Sequence, residues 1–85
     1  GSEMCIRDSY IAPGSHQIAK IASMKYLAFC CLTPVRKLSL KNVKYELSKV
    51  DFLQPTSLAS NEFLTGQAEV SFSEGLIAVI QSRDV

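Results

Sequence analysis

The sequence predicts an α+β domain in which one long buried helix is wrapped by a curved antiparallel sheet. Three observations carry this expectation. The 85 residues are 47% hydrophobic and 20% charged, a balance that builds one core and leaves no room for a second domain. Residues 16–32 contain neither Gly nor Pro and are apolar almost throughout from Met24 onward, the pattern of a helix enclosed on all sides. After Pro34 the spacing of apolar residues changes from 3.6 to 2, the period of half-buried strands.

Taken in order, the first nine residues, Gly1-Ser2-Glu3-Met4-Cys5-Ile6-Arg7-Asp8-Ser9, resemble translated sequencing-adapter DNA more than a natural terminus. Segments of that kind are set aside from fold reasoning, which leaves residues 10–85 as one partial domain whose upstream sequence the adapter has replaced. Ala12-Pro13-Gly14-Ser15 then reads as a turn ending in a good N-cap, so the helix is expected over about 15–32. Its first turns place Ile18, Ile21 and Ala22 on one side and Gln17, Lys20 and Ser23 on the other. Thr33-Pro34 stops it, because Pro lacks the donor and pushes its predecessor into extended backbone.

Strands are expected over about 38–82. Leu38-Ser39-Leu40 and Val43-Lys44-Tyr45-Glu46-Leu47 alternate apolar and polar residues, and alternation resumes out of phase at Val50-Asp51-Phe52. A bulge or bend at Ser48-Lys49 accounts for the change of face. Pro55 closes that strand and residues 56–61 read as a polar loop. Residues 68–72 alternate again, Ser73-Glu74-Gly75 is a turn, and residues 76–80 form a fully apolar strand.

Charge and cysteine content narrow the function. A formal net charge of +1 offers no basic face for nucleic acid or an anionic membrane, so neither is expected as a partner. Outside the adapter-like segment only the adjacent pair Cys30 and Cys31 remains, beside a single His, which is too few ligands for zinc and no disulfide framework. No metal and no cofactor are expected, and a reducing, cytoplasmic setting is favoured. A lipoprotein-type leader starting at Met24 is disfavoured by the bulky Phe29 before the cysteines and by the shortness of the apolar run. Both cysteines read as core, Glu46, Lys49 and Asp51 as solvated strand faces. No Gly-x-Ser-x-Gly elbow and no Gly-rich phosphate loop occurs.

Pro13-Gly14-Ser15-His16-Gln17-Ile18-Ala19-Lys20-Ile21-Ala22 resembles the start of the central helix in hotdog-fold β-hydroxyacyl carrier-protein dehydratases. Residues 45–55, ending in Phe52-Leu53-Gln54-Pro55, are similar to the following strand of that family and of hotdog acyl-CoA thioesterases. Leu64-Thr65-Gly66-Gln67-Ala68-Glu69-Val70 and Gly75-Leu76-Ile77-Ala78-Val79 resemble the next two strands of the thioesterase branch, so the likeness spans most of residues 12–82.

That resemblance implies an acyl-thioester pocket. Backbone donors at the helix start, here Gly14 and Ser15 with Gln17 beside them, would stabilise a developing oxyanion, and His16 would be the candidate catalytic group. The family's acid position holds Ala19, and its His belongs to a strand upstream of Tyr10, so general acid–base dehydration lacks both partners. The resemblance therefore implies a dehydratase-like domain, with an acyl-CoA thioesterase or a non-catalytic acyl-binding or dimerising homologue as alternatives. Acyl carrier protein or a coenzyme A thioester would be the partner, and a homodimer the assembly.

Overall fold

Every stretch of regular structure between residues 6 and 83, the part that the computed structural model describes, is a β-strand. In chain order these are β1 (Ile6–Ile11), β2 (Gly14–Ala19), β3 (Tyr26–Cys31), β4 (Val35–Lys41), β5 (Leu47–Phe52), β6 (Thr56–Glu62), β7 (Gln67–Phe72) and β8 (Ile77–Ser82). All pairings are antiparallel and nested: β1 with β8, β2 with β7, β3 with β6 and β4 with β5. A double ribbon paired this way rolls into two four-stranded sheets, β1-β8-β3-β6 and β2-β7-β4-β5, the jelly-roll sandwich. Of the adapter-like segment, residues 1–5 lie outside the described residues, and Ile6–Ser9 pair through the main chain with β8 as part of β1.

The expected α+β class and its helix over 15–32 are corrected by this architecture, because that segment forms β2, a turn and β3. The physical reason lies in two places. The turn has no Gly, Pro or Asn to announce it: Met24 N–H donates to the Ile21 carbonyl at 2.9 Å, and Ser23 at its third position takes φ 68°, a conformation usually left to glycine. The run Tyr26-Leu27-Ala28-Phe29-Cys30-Cys31 then alternates only in depth. Leu27, Phe29 and Cys31 are buried between the sheets, whereas Tyr26, Ala28 and Cys30 lie half-buried on the outer face, and a strand apolar on both sides reads like a helix apolar all round. The cysteines accordingly part company: only Cys31 is core.

The core is the space between the sheets. Leu27, Phe29 and Cys31 of β3 and Ile77 and Val79 of β8 meet Leu38 and Leu40 of β4 and Ala68, Val70 and Phe72 of β7 across it. Each large side chain fully enclosed there stabilises the fold by about 1.5–3 kcal/mol. Three bulges bend β4, β5 and β6 around this core. Lys37 (φ 56°) adds a residue to β4 opposite β5, Lys49 (φ 50°) adds one to β5, and Ser60 (φ 70°) coincides with a register shift of β6 against β3. The two lysine bulges have their freed donors satisfied by side chains: Asp51 Oδ1 accepts from Lys37 N–H at 2.9 Å and Ser39 Oγ from Lys49 N–H at 3.0 Å. The bend anticipated at Ser48-Lys49 falls at the second of these.

Connections gather at two ends. At one, Gly75 (φ 110°) presses the β7–β8 turn against Pro34, and Leu32 N–H donates to the Leu76 carbonyl at 2.9 Å. At the other, the 20–25, 42–46 and 63–66 loops meet. Two buried amides tie them down. Gln81 accepts from Ile21 N–H and donates to the Ala19 carbonyl, both at 2.9 Å, closing the β2–β3 loop onto β8. Asn61 does the same for the 42–46 loop, and it belongs to the site described next.

Candidate functional site

The sandwich is open along one side, because β5 and β6 are the edge strands of different sheets and are joined only by residues 53–55. Between them lies a cleft of about 260 Å³ lined by Leu40, Tyr45, Leu47, Ser57, Leu58, Ala59 and Asn61. Leu40 is its fully buried floor, and Leu47 and Leu58 are half-buried walls. Tyr45 stands at its mouth with 57% of its surface exposed. Three leucines, an alanine, an aromatic ring and two further polar side chains, Ser57 and Asn61, give it the mainly apolar lining with few polar groups that small molecules use.

Tyr45 and Asn61 are placed by the backbone. Alternation along β6 puts Leu58 on the inner face and would put Ser60 there next; the extra residue at the bulge turns Ser60 outward and Asn61 inward. Asn61 is 4% exposed, and a buried amide needs partners. Its Oδ1 accepts from the N–H groups of Tyr45 and Glu62, and its Nδ2 donates to the Tyr45 carbonyl, all at 3.0 Å. The side chain thus pairs with residue 45 as a neighbouring strand would, continuing the Val43–Phe63 bridge and the 3.0 Å Lys44 N–H to Glu62 carbonyl bond.

Charge sits beside the cleft. Glu62 receives Lys44 at 3.3 Å and Lys25 at 3.6 Å, joining the 42–46 and 20–25 loops through one carboxylate. The hydrogen bond from Lys44 to Glu62, aided by the carboxylate's charge, holds the Lys44 ammonium above its usual range. The same ammonium lies 5.4 Å from the Tyr45 ring centre, within reach of its electron-rich face.

The residues singled out in the sequence lie elsewhere. Gly14, Ser15, His16 and Gln17 belong to β2, so no helix start presents backbone donors there, and Ala19 ends the same strand. Ser15, His16 and Gln17 line an open groove of about 410 Å³ on the outer face of β2-β7-β4, with Ser39, Lys41, Glu69, Val70 and Ser71. In register, Ser15, Ser71 and Ser39 form one row across three strands and Gln17, Glu69 and Lys41 the next. His16 is tied to the corner that precedes β2. Its Nε2 lies 2.6 Å from the Ala12 carbonyl oxygen, which can only accept, so that nitrogen carries the proton and donates; its ring centre is 6.3 Å from that of Phe72. Among the described residues no three of His, Cys, Asp and Glu converge on a common point. No helix among them is long and apolar enough to cross a membrane.

Sequence reasoning missed Tyr45, Leu58 and Asn61, having put Tyr45 on a strand face and residues 56–61 in a loop. Thr56-Ser57-Leu58-Ala59 alternates in burial but not in polarity, so the sequence carried no period-2 signal for β6. Nothing in the sequence announced the buried amide, whose inward direction depends on the bulge.

With the geometry in hand, the comparisons with known proteins identify relatives. The family model for the thiamin pyrophosphokinase vitamin B1 binding domain matches residues 15–77. A thiamin pyrophosphokinase family protein from Enterococcus faecalis is 50% identical and superposes with a TM-score of 0.91, over 94% of this chain and 38% of that one. A protein from Lactobacillus plantarum is 43% identical with a TM-score of 0.87, over 93% of this chain and 39% of that one. Thiamine pyrophosphokinase from Bacillus subtilis, at 24% identity and a TM-score of 0.86 over 94% and 38% of the two chains, shares the fold. The chain thus spans less than two fifths of the solved relatives it matches. No curated protein matches it. These findings overturn the resemblance to hotdog enzymes and with it the dehydratase, thioesterase and acyl-binding readings. Acyl carrier protein and coenzyme A thioesters fall as partners for the same reason, and the homodimer inferred from hotdog edge pairing loses its basis. The Pro-Gly turn and the Phe-Leu-x-Pro motif that carried the likeness are a strand-to-strand corner and a sheet-to-sheet arch.

Proposed function

The chain belongs to the thiamin pyrophosphokinase vitamin B1 binding domain family, and from that premise we propose that it binds thiamin in the cleft between β5 and β6, as one part of a longer thiamin pyrophosphokinase. The observation that carries the placement is the cleft itself: an apolar floor and walls with one aromatic ring at the mouth. Thiamin joins a flat aminopyrimidine to a cationic thiazolium. A ring such as Tyr45 suits the first by offset stacking, and the face that the Lys44 ammonium leaves uncovered suits the second by attraction of the cation. The outer groove is larger, but it is lined by hydroxyl, amide, charged and imidazole side chains with one valine, and no Tyr, Phe or Trp ring among them offers a stacking face to a flat heterocycle.

Pyrophosphoryl transfer needs groups to cradle phosphates and hold magnesium. The sequence has no Gly-rich phosphate loop, so we assign that chemistry to the portion of the longer relatives that this chain does not span. A cytoplasmic setting accords with this role. The test is calorimetric titration of the chain with thiamin, beside Tyr45→Ala. Saturable binding, weakened about three- to tenfold by the substitution, supports the cleft. Saturable binding that Tyr45→Ala leaves unchanged rejects the cleft, and the absence of saturable binding rejects the proposal.

A further inference from the structure

We propose that Asn61 is a positioning residue for Tyr45: the bulge at Ser60 aims its amide at the Tyr45 main chain, and this strap sets the ring at the mouth of the cleft. The inference rests on the thiamin reading for its ligand but on separate observations for its geometry. Three hydrogen bonds of 3.0 Å leave from one buried side chain, two of them to residue 45 and one to Glu62. Residue 45 lies in the loop that precedes β5, and no strand hydrogen-bonds to its main chain in the usual way: the Val43–Phe63 bridge precedes it and the β4–β5 ladder begins at Leu47. Without Asn61 both main-chain groups of Tyr45 would turn to water, and the direction of the Cα–Cβ bond would no longer be fixed. The left-handed backbone of Ser60 is a conformation that costs energy for any residue with a Cβ, and it coincides with the register shift that brings position 61 inward.

A residue acting only through Tyr45 leaves a distinct signature. Asn61→Ala and Tyr45→Ala should each weaken thiamin binding about three- to tenfold, while the double variant binds no more weakly than Tyr45→Ala alone. Stability should behave differently, because the lost bonds are to the main chain of residue 45 and are lost in either background; melting temperature should fall with Asn61→Ala whether or not the ring is present. Affinity losses that multiply in the double variant would overturn the proposal, as would unchanged binding by Asn61→Ala. Amide hydrogen exchange supplies a readout independent of ligand: Asn61→Ala should deprotect Tyr45 N–H while Phe63 N–H, bonded to the Lys25 carbonyl, stays protected. Uniform deprotection of the loop end would mean that Asn61 holds the whole end and not Tyr45. If the wild-type chain binds no thiamin, the functional reading fails, and the exchange pattern still decides the positioning claim. Should Asn61→Ala not fold, Asn61→Gln, with the same groups one methylene out of register, takes its place in both measurements.

Discussion

Three glycines of the described chain face different surroundings, so replacing each with alanine tests the corner packing that closes the sandwich. A methyl on Gly75 would collide with the Pro34 carbonyl oxygen and lie 2.8 Å from Val35 Cγ2, at φ 110°. Backbone in that region costs a non-glycine residue about 1–3 kcal/mol, and forcing a carbon against main chain adds about 1–3 more. Gly14 has φ 128° but nothing within 4 Å, so Gly14→Ala carries the conformational cost alone. Gly66 has open space and no positive φ, so Gly66→Ala should stabilise by about 0.4–1 kcal/mol through the unfolded chain. Urea unfolding of the three variants reads this out. For a domain of this size a slope near 1 kcal/mol per molar urea turns a loss of about 3 kcal/mol into a midpoint lower by about 3 M, or into a chain that does not fold. The expected order of midpoints is Gly66→Ala above wild type, Gly14→Ala below it, and Gly75→Ala far lowest. Equal midpoints for Gly75→Ala and Gly14→Ala would refute the close approach of the β7–β8 turn to Pro34.

Ser23→Gly should raise stability by up to about 1 kcal/mol in the same urea assay, because glycine accepts the positive φ that serine holds at a cost. Peptide-mapped alkylation should modify the half-buried Cys30 well before Cys31, which is 2% exposed and whose thiol is pushed above its ordinary range first by burial and then by its neighbour Cys30. The raised Cys31 value also sets a sign: the unfolded chain releases that proton first, so stability should fall as pH rises above the ordinary thiol range, and Cys31→Ala should remove that slope. Phe29→Ala, at the centre of the core, should cost about 3–5 kcal/mol and unfold the chain at moderate urea.

Parts of the second half were legible in sequence, β7 most clearly because it has one wet face, whereas residues 56–61, read as a loop, form most of β6, and residues 43–46, read as strand, lie in a loop. Ala68, Val70 and Phe72 alternate with Gln67, Glu69 and Ser71, and the structure divides them between core and solvent in that order. The first half misleads for a physical reason. β3 carries apolar side chains on both faces, the loop before it turns on a serine in a glycine-like conformation, and no local signal separates two short strands from one helix. The site was less legible than the fold. Leu40 and Leu47 are readable as apolar strand residues, but their convergence with Leu58 depends on the arch at residues 53–55, and the place of Tyr45 depends on an amide 16 residues away. Contacts of that kind are made by topology, and a local period cannot contain them.

The most direct test of the account is a nitrogen–proton correlation spectrum of the chain recorded during titration with thiamin. The account predicts saturable shifts centred on Tyr45, Leu47, Leu58, Ala59 and Asn61, with Ser15, Gln17, Glu69 and Ser71 on the outer groove left in place. Shifts confined to the outer groove, or a spectrum that thiamin does not change, would contradict it.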